Sequence, residues 1–184
     1  MILVFIVSFS PISLAATNVS GNITANTTWT LAGSPYIVTG DVRVRHTTWN
    51  NPAYTATLTI EPGVEVRFNT GTGLYIGADG CYGALSAQGT AGSPIIFTSN
   101  ASTSAPGNWK GIYFTDQTND SKTILDHCVV EYGGHTNNAD IYVASASFAI
   151  KNSTIRHSSS NGIYLDSSNA TIGGDNVGNV ITNN

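Results

Sequence analysis

Apolar and polar residues alternate in short runs along this chain. Leu58 and Ile60, then Val64, Val66 and Phe68, alternate with Thr57, Thr59, Glu65 and Arg67. A period of two over so few residues predicts short strands with one face buried. Glu61-Pro62-Gly63 supplies the bend between the two runs. Ala84-Leu-Ser-Ala87 and Pro94-Ile-Ile-Phe-Thr98 continue the series, with Pro94 at a strand start, where its missing N–H is tolerated. No segment carries a convincing helical period.

The strands repeat. Leu74-Tyr75-Ile76, Ile112-Tyr113-Phe114, Ile141-Tyr142-Val143 and Ile163-Tyr164-Leu165 share one tripeptide pattern, and three of the four follow a glycine. Their starts lie 38, 29 and 22 residues apart, so loops of variable size separate units that converge in length. Ile150 follows Ile141 by nine residues, as Ile172 follows Ile163, which puts a second strand in register. Asn152-Ser-Thr-Ile155-Arg-His aligns with His127-Cys-Val-Val130-Glu-Tyr before it and Gly178-Asn-Val-Ile181-Thr-Asn after it. The later match needs extra residues around Gly173-Gly-Asp-Asn176, a turn-rich stretch where insertion costs little.

A strand of three to five residues buries too little surface alone. Stacked on its counterpart one coil later, it gains backbone hydrogen bonds and joins a continuous apolar column. An antiparallel sandwich also has short strands, but it predicts no recurring tripeptide. A propeller also repeats, but a unit near 22 residues is too short for a blade of about 40. The expectation is therefore an all-β solenoid over residues 32–184, behind an N-terminal cap at residues 17–31. The last residues, Val180 to Asn184, stop in mid-repeat, which implies either a piece of a longer array or an open end covered by end-to-end or side-by-side self-association.

Composition narrows the function classes. Charged residues make up 10% of the chain, and the net charge is −4 with no basic run, so nucleic acid is not an expected partner. Residues 1–16, MILVFIVSFSPISLAA, read as an export signal: an apolar core, Pro11, then Ser13 and Ala15 at the −3 and −1 positions of a cleavage site. That apolar stretch is short of the ~20 residues a bilayer span needs, so no membrane span is expected in the mature chain. Export permits oxidation of Cys81 and Cys128, but alignment with Ser153 and Asn179 turns Cys128 inward. A buried free thiol is the first reading and a bridge to Cys81 the second. Seven Asn-x-Ser/Thr triplets, at Asn18, Asn22, Asn26, Asn100, Asn119, Asn152 and Asn169, leave glycosylation open.

Several segments carry a family resemblance. They are Trp29-Thr-Leu with Ser34-Pro-Tyr-Ile-Val-Thr-Gly-Asp41, Leu58-Thr-Ile-Glu-Pro-Gly-Val-Glu-Val-Arg-Phe68, Pro94-Ile-Ile-Phe-Thr-Ser99, Asn108-Trp-Lys-Gly-Ile-Tyr-Phe114 and Val130-Glu-Tyr-Gly-Gly134. From about Trp29 onward the chain resembles the secreted right-handed parallel β-helix repeat proteins of the pectate-lyase-like superfold. The resemblance implies a single-stranded right-handed parallel β-helix in a secreted or cell-surface protein. It does not imply one chemistry, because such proteins include polysaccharide lyases, hydrolases and adhesins.

The candidate carboxylates are Asp116, Asp120, Asp126, Glu131, Asp140, Asp166 and Asp175. Glycoside hydrolysis needs two acids about 5 to 9.5 Å apart across one bond. Repeat alignment sets Asp126 against Lys151 and Glu131 against Arg156, so the acids do not recur in one column as a calcium ladder requires. They read first as turn and surface residues. His46, His127, His135 and His157 lack metal-site spacing, and neither a metal nor another cofactor is expected. If Ile112 and Phe114 point inward, Tyr113 points out, and the same holds for Tyr75, Tyr142 and Tyr164. This outward ladder, with Trp109 nearby, is the candidate glycan-stacking face. The competing reading, that the rings only stabilise the sheet, carries more weight. The expected function is an exported or cell-surface scaffold of adhesin type that contacts polysaccharide or other cell-envelope components. A polysaccharide lyase or glycoside hydrolase is the alternative.

Overall fold

The computed structural model describes residues 15–135, 139–173 and 178–184. Its strands follow one another as coils of a solenoid. The first coils are built from β1 (Thr17–Ile23), β2 (Thr27–Trp29) and β3 (Tyr36–Val44), then β4 (Ala56–Ile60), β5 (Glu65–Phe68) and β6 (Leu74–Ile76). Next come β7 (Gly83–Gln88), β8 (Ile95–Ser99) and β9 (Ile112–Phe114), then β10 (Ile124–Asp126), β11 (Cys128–Glu131) and β12 (Ala139–Ala144). The last are β13 (Ala149–Lys151), β14 (Thr154–Arg156), β15 (Asn161–Asp166), β16 (Thr171–Ile172) and β17 (Val180–Thr182). Two short 3-10 turns, Leu31–Gly33 and Asp120–Lys122, are the helical elements among the described residues.

All pairings between these strands are parallel. A narrow sheet stacks β2, β4, β7, β10, β13 and β16. A wide sheet has two halves: β5, β8, β11, β14 and β17 form one, and β6, β9, β12 and β15 the other. β3 starts both, because Tyr36–Val38 pairs with β5 while Val42–Val44 pairs with β6. Each coil therefore visits the narrow sheet, the first half and the second half in turn, which is a parallel β-helix. Residues 17–31, expected to cap the helix, contain β1, β2 and the start of the first 3-10 turn; β1 pairs parallel with β3, with a shift of register between Val19 and Gly21.

The expected registers are found. The four Tyr-centred tripeptides share one half-sheet, Ile150 pairs with Ile172, and Val130, Ile155 and Ile181 follow one another. Inward files such as Val66–Phe97–Val130–Ile155 are fully buried and fuse into one core. Each such side chain contributes ~1.5–3 kcal/mol of transfer free energy.

Corners absorb the differences in coil length. The link from β10 to β11 is the single residue His127, at φ 49°, and that from β13 to β14 is Asn152-Ser153, with Asn152 at φ 52°. Asn and His are among the side chains that tolerate this left-handed region best. At this corner the Cys128 amide donates to Ser153 Oγ at 3.0 Å, and the Ser153 amide donates to Asn179 Oδ1 at 2.9 Å, as the sequence alignment requires. Both cysteines are free and buried, so the alternative Cys81–Cys128 bridge is not the arrangement found. Its physical reason is placement: Cys128 lies in a wide-sheet strand, and Cys81 in the turn before β7.

Candidate functional site

The outer face of the second half-sheet carries the most regular array of side chains. Parallel pairing fixes Arg43, Tyr75, Tyr113, Tyr142 and Tyr164 at equivalent positions on successive strands. Neighbouring rings follow at centroid distances of 5.9, 4.8 and 5.2 Å, and the last two pairs lie within 20° of parallel. The Tyr113–Tyr142 and Tyr142–Tyr164 separations are close to the ~4.8 Å between strands, so sheet spacing sets those two stacks, whereas Tyr75 is tilted 52° from Tyr113. The Arg43 guanidinium lies 5.3 Å from the Tyr75 centroid and covers that end of the file.

Stacking has a chemical consequence. The faces of Tyr113 and Tyr142 are turned toward neighbouring rings, and what they offer outward is edges and hydroxyls. Tyr164, at 44% exposure, is the most open member. Tyr142 Oη donates to Asp166 Oδ2 at 2.8 Å; this bond, then burial, pushes its phenol up to about 12. Burial, followed by Asp166 and Asp116, also raises Tyr113.

Trp109 does not belong to this face. It is completely buried, its ring stacks on Phe68, and its Nε1 donates to Glu131 O at 2.8 Å. The expectation that it flanks the tyrosines is corrected: it occupies the loop between β8 and β9, where no strand alternation fixes direction. The exposed tryptophan is instead Trp49, at 72%, in the loop between β3 and β4.

The carboxylates are dispersed. Asp126 takes Asn152 Nδ2 at 2.9 Å, His127 Nδ1 at 2.8 Å and Lys151 Nζ at 3.5 Å. Burial alone raises its carboxyl, but these partners outweigh burial and hold it below the usual range. Glu131 accepts from Thr98 Oγ1 at 2.9 Å and Arg156 Nε at 2.8 Å. Asp116 and Asp120 are exposed, and Asp175 lies outside the described residues. Among the described residues, no three His, Cys, Asp or Glu side chains gather as a metal site.

Sequence reasoning missed the Lys110–Asp41 pair and read Asp140, one of its candidate carboxylates, as a turn or surface residue, which the structure corrects. Lys110 Nζ, just before β9, reaches both oxygens of Asp41 in β3, at 3.0 and 2.9 Å, across the one intervening strand β6. Asp140 is completely buried: Oδ1 accepts the Gly133 amide at 2.7 Å, and Oδ2 has no hydrogen-bond partner. Burial pushes its carboxyl up to about 8 against the lowering effect of the Gly133 bond, with Glu131 adding repulsion. A polar cleft of about 320 Å³ lies on the first half-sheet, lined by Glu65, Arg67, Thr98, Asn100, Ser104 and Glu131.

Neither a curated protein nor a solved structure matches the chain. The family model for the pectate-lyase-like beta helix domain matches residues 21–151, well over half of its length. That match and the parallel coils of the described residues agree, and the chain belongs to the pectate-lyase-like β-helix domain family.

Proposed function

We propose that this chain is an exported, non-catalytic scaffold of adhesin type, whose outer second half-sheet contacts glycans. The observation that carries this reading is the in-register file from Tyr75 to Tyr164, a ridge of phenolic edges and hydroxyls at strand spacing. A repeating polymer is the natural complement of a repeating ridge. The state of the acids supports a scaffold over an enzyme, since Asp126 and Glu131 are held in ion pairs and Asp140 is sealed from solvent. Export rests on the sequence character of residues 1–16, of which 1–14 lie outside the described residues.

The test is binding to a panel of acidic and neutral polysaccharides, with product analysis on the same samples. The expected result is binding that falls in the Tyr113→Ala, Tyr142→Ala double variant, with no new chain ends. Unchanged binding in that variant removes the ridge as the contact. Release of unsaturated or reducing ends replaces the scaffold reading with a lyase or hydrolase.

A further inference from the structure

A sugar ring stacks on an aromatic face, and in the middle of the tyrosine file Tyr113 and Tyr142 have faces turned toward neighbouring rings. Trp49 differs in this respect. It is the most exposed large apolar side chain among the described residues, at 72%, whereas Trp29 and Trp109 are buried. Single exposed apolar residues are ordinary on protein surfaces. A tryptophan held rigidly in the open needs a reason, because ordering it exposes the largest apolar side chain to water without gain from burial.

Trp49 is held rigidly. Its backbone bridges Cys81, and the next residue, Asn50, donates its amide to Gly80 O at 2.7 Å. Gly80 sits at φ +72°, and a Cβ there would run into Nε1 and Cδ1 of the indole. The five-membered side of the indole thus rests on a bare glycine backbone. The rest of the loop is braced as well. The His46 amide donates to Tyr82 O at 2.8 Å, the Thr48 amide to His46 Nδ1 at 2.9 Å, and Asn119 Nδ2 to Thr55 Oγ1 at 2.9 Å. Tyr54, a second exposed ring at 52%, stands on the same loop, tilted against His46 at 5.5 Å.

The rim is polar. Asn50 and Asn51 follow Trp49 and are exposed, and Arg45 pairs with Asp79 at 3.2 Å beside Gly80 in sequence. A preorganised aromatic plane followed in the chain by two exposed asparagines suits a pyranose, whose C–H face is apolar and whose equatorial hydroxyls project sideways. Preorganisation also lowers the ordering cost of binding.

We propose that Trp49, seated on Gly80, is a stacking platform for a pyranose ring of a glycan and anchors what the tyrosine ridge contacts only through edges. This rests on the glycan-contact reading above and places its principal contact in the loop between β3 and β4.

The experiment uses the full chain with cellohexaose, soluble xylan and polygalacturonate as probes. Because Trp49 is the exposed tryptophan, a bound sugar is expected to shift its emission and shield it from iodide quenching. Trp49→Ala is expected to weaken binding at least tenfold, Trp49→Phe to retain most of it, and Gly80→Ala to weaken it with Trp49 still present. Melting of each variant is followed in parallel, and Trp49→Phe serves as the folded control. If wild-type chain binds a probe and Trp49→Ala binds equally well, the platform is wrong and the glycan reading stands. If wild-type chain binds none of the three, the glycan reading fails for these polymers and the platform fails with it.

Discussion

The Trp109 indole lies on the Phe68 ring with centroids 3.9 Å apart and planes 11° from parallel, joining a loop to the core of the preceding coil. Its Nε1–H is spent on Glu131 O, so both faces of its chemistry, apolar and polar, are satisfied inside. Trp109→Ala is expected to cost ~3–5 kcal/mol, the range for large aromatic truncations in cores. Trp109→Phe, which keeps the contact with Phe68 and loses the donor, should cost less. Urea denaturation of the two variants checks the order.

The tyrosine file makes a graded prediction. Cross-strand aromatic pairs are worth roughly 0.2–1 kcal/mol each. Tyr113 and Tyr142 each have two ring neighbours, whereas Tyr164 has one among the described residues. Alanine at Tyr113 or Tyr142 should therefore lower the denaturation midpoint more than alanine at Tyr164. Equal losses at all three positions would show that the rings act independently.

Those two cases mark how far the sequence can be read. The file was legible because strand alternation assigns each tripeptide a side, and the repeat assigns each a partner. Trp109 and Trp49 both lie in links between strands, where no period says which way a side chain turns, so the buried and the exposed tryptophan look alike as text. Asp140 failed differently. Alternation with Ile141 places it on the outer side of β12, yet the turn at Gly133 closes over it, and a Cβ on Gly133 would lie 2.7 Å from Asp140 Oδ1 and 3.2 Å from the Trp109 ring. Which loop folds back over a strand is a tertiary fact that local pattern does not encode. The ion pairs of Asp126 with Lys151 and Glu131 with Arg156, by contrast, follow directly from repeat alignment.

Asp140 carries a pH prediction. Its carboxyl is raised to about 8 in the folded chain, well above the ~3.9 of an unfolded aspartate. The folded state thus favours the protonated form. The associated stability is fully present below the unfolded value and drains away as pH climbs toward the folded one. Urea midpoints taken between pH 4 and 9 should decline for the wild-type chain. Asp140→Asn, which keeps an acceptor for the Gly133 amide and cannot ionise, should flatten that decline. Parallel curves for the two chains would exclude Asp140 as its source.

The Cys128 thiol is expected to be inert. Burial pushes it up to about 12, against small lowering effects from Asp126 backbone and Ser153, so the reactive thiolate is scarce at neutral pH. Labelling by a thiol reagent should proceed only as fast as the chain opens and should accelerate in denaturant. Fast labelling of Cys128 in buffer would show that the corner at His127 opens locally.

The link from β5 to β6 runs through residues 69–73, while the equivalent link one coil later, from β8 to β9, runs through residues 100–111, yet β6 and β9 pair residue for residue. Perimeter and pitch are therefore decoupled in this molecule. A foreign peptide spliced into a corner would widen one storey without altering the height of the tower, and peptides spliced into successive corners would be displayed as an evenly spaced vertical row.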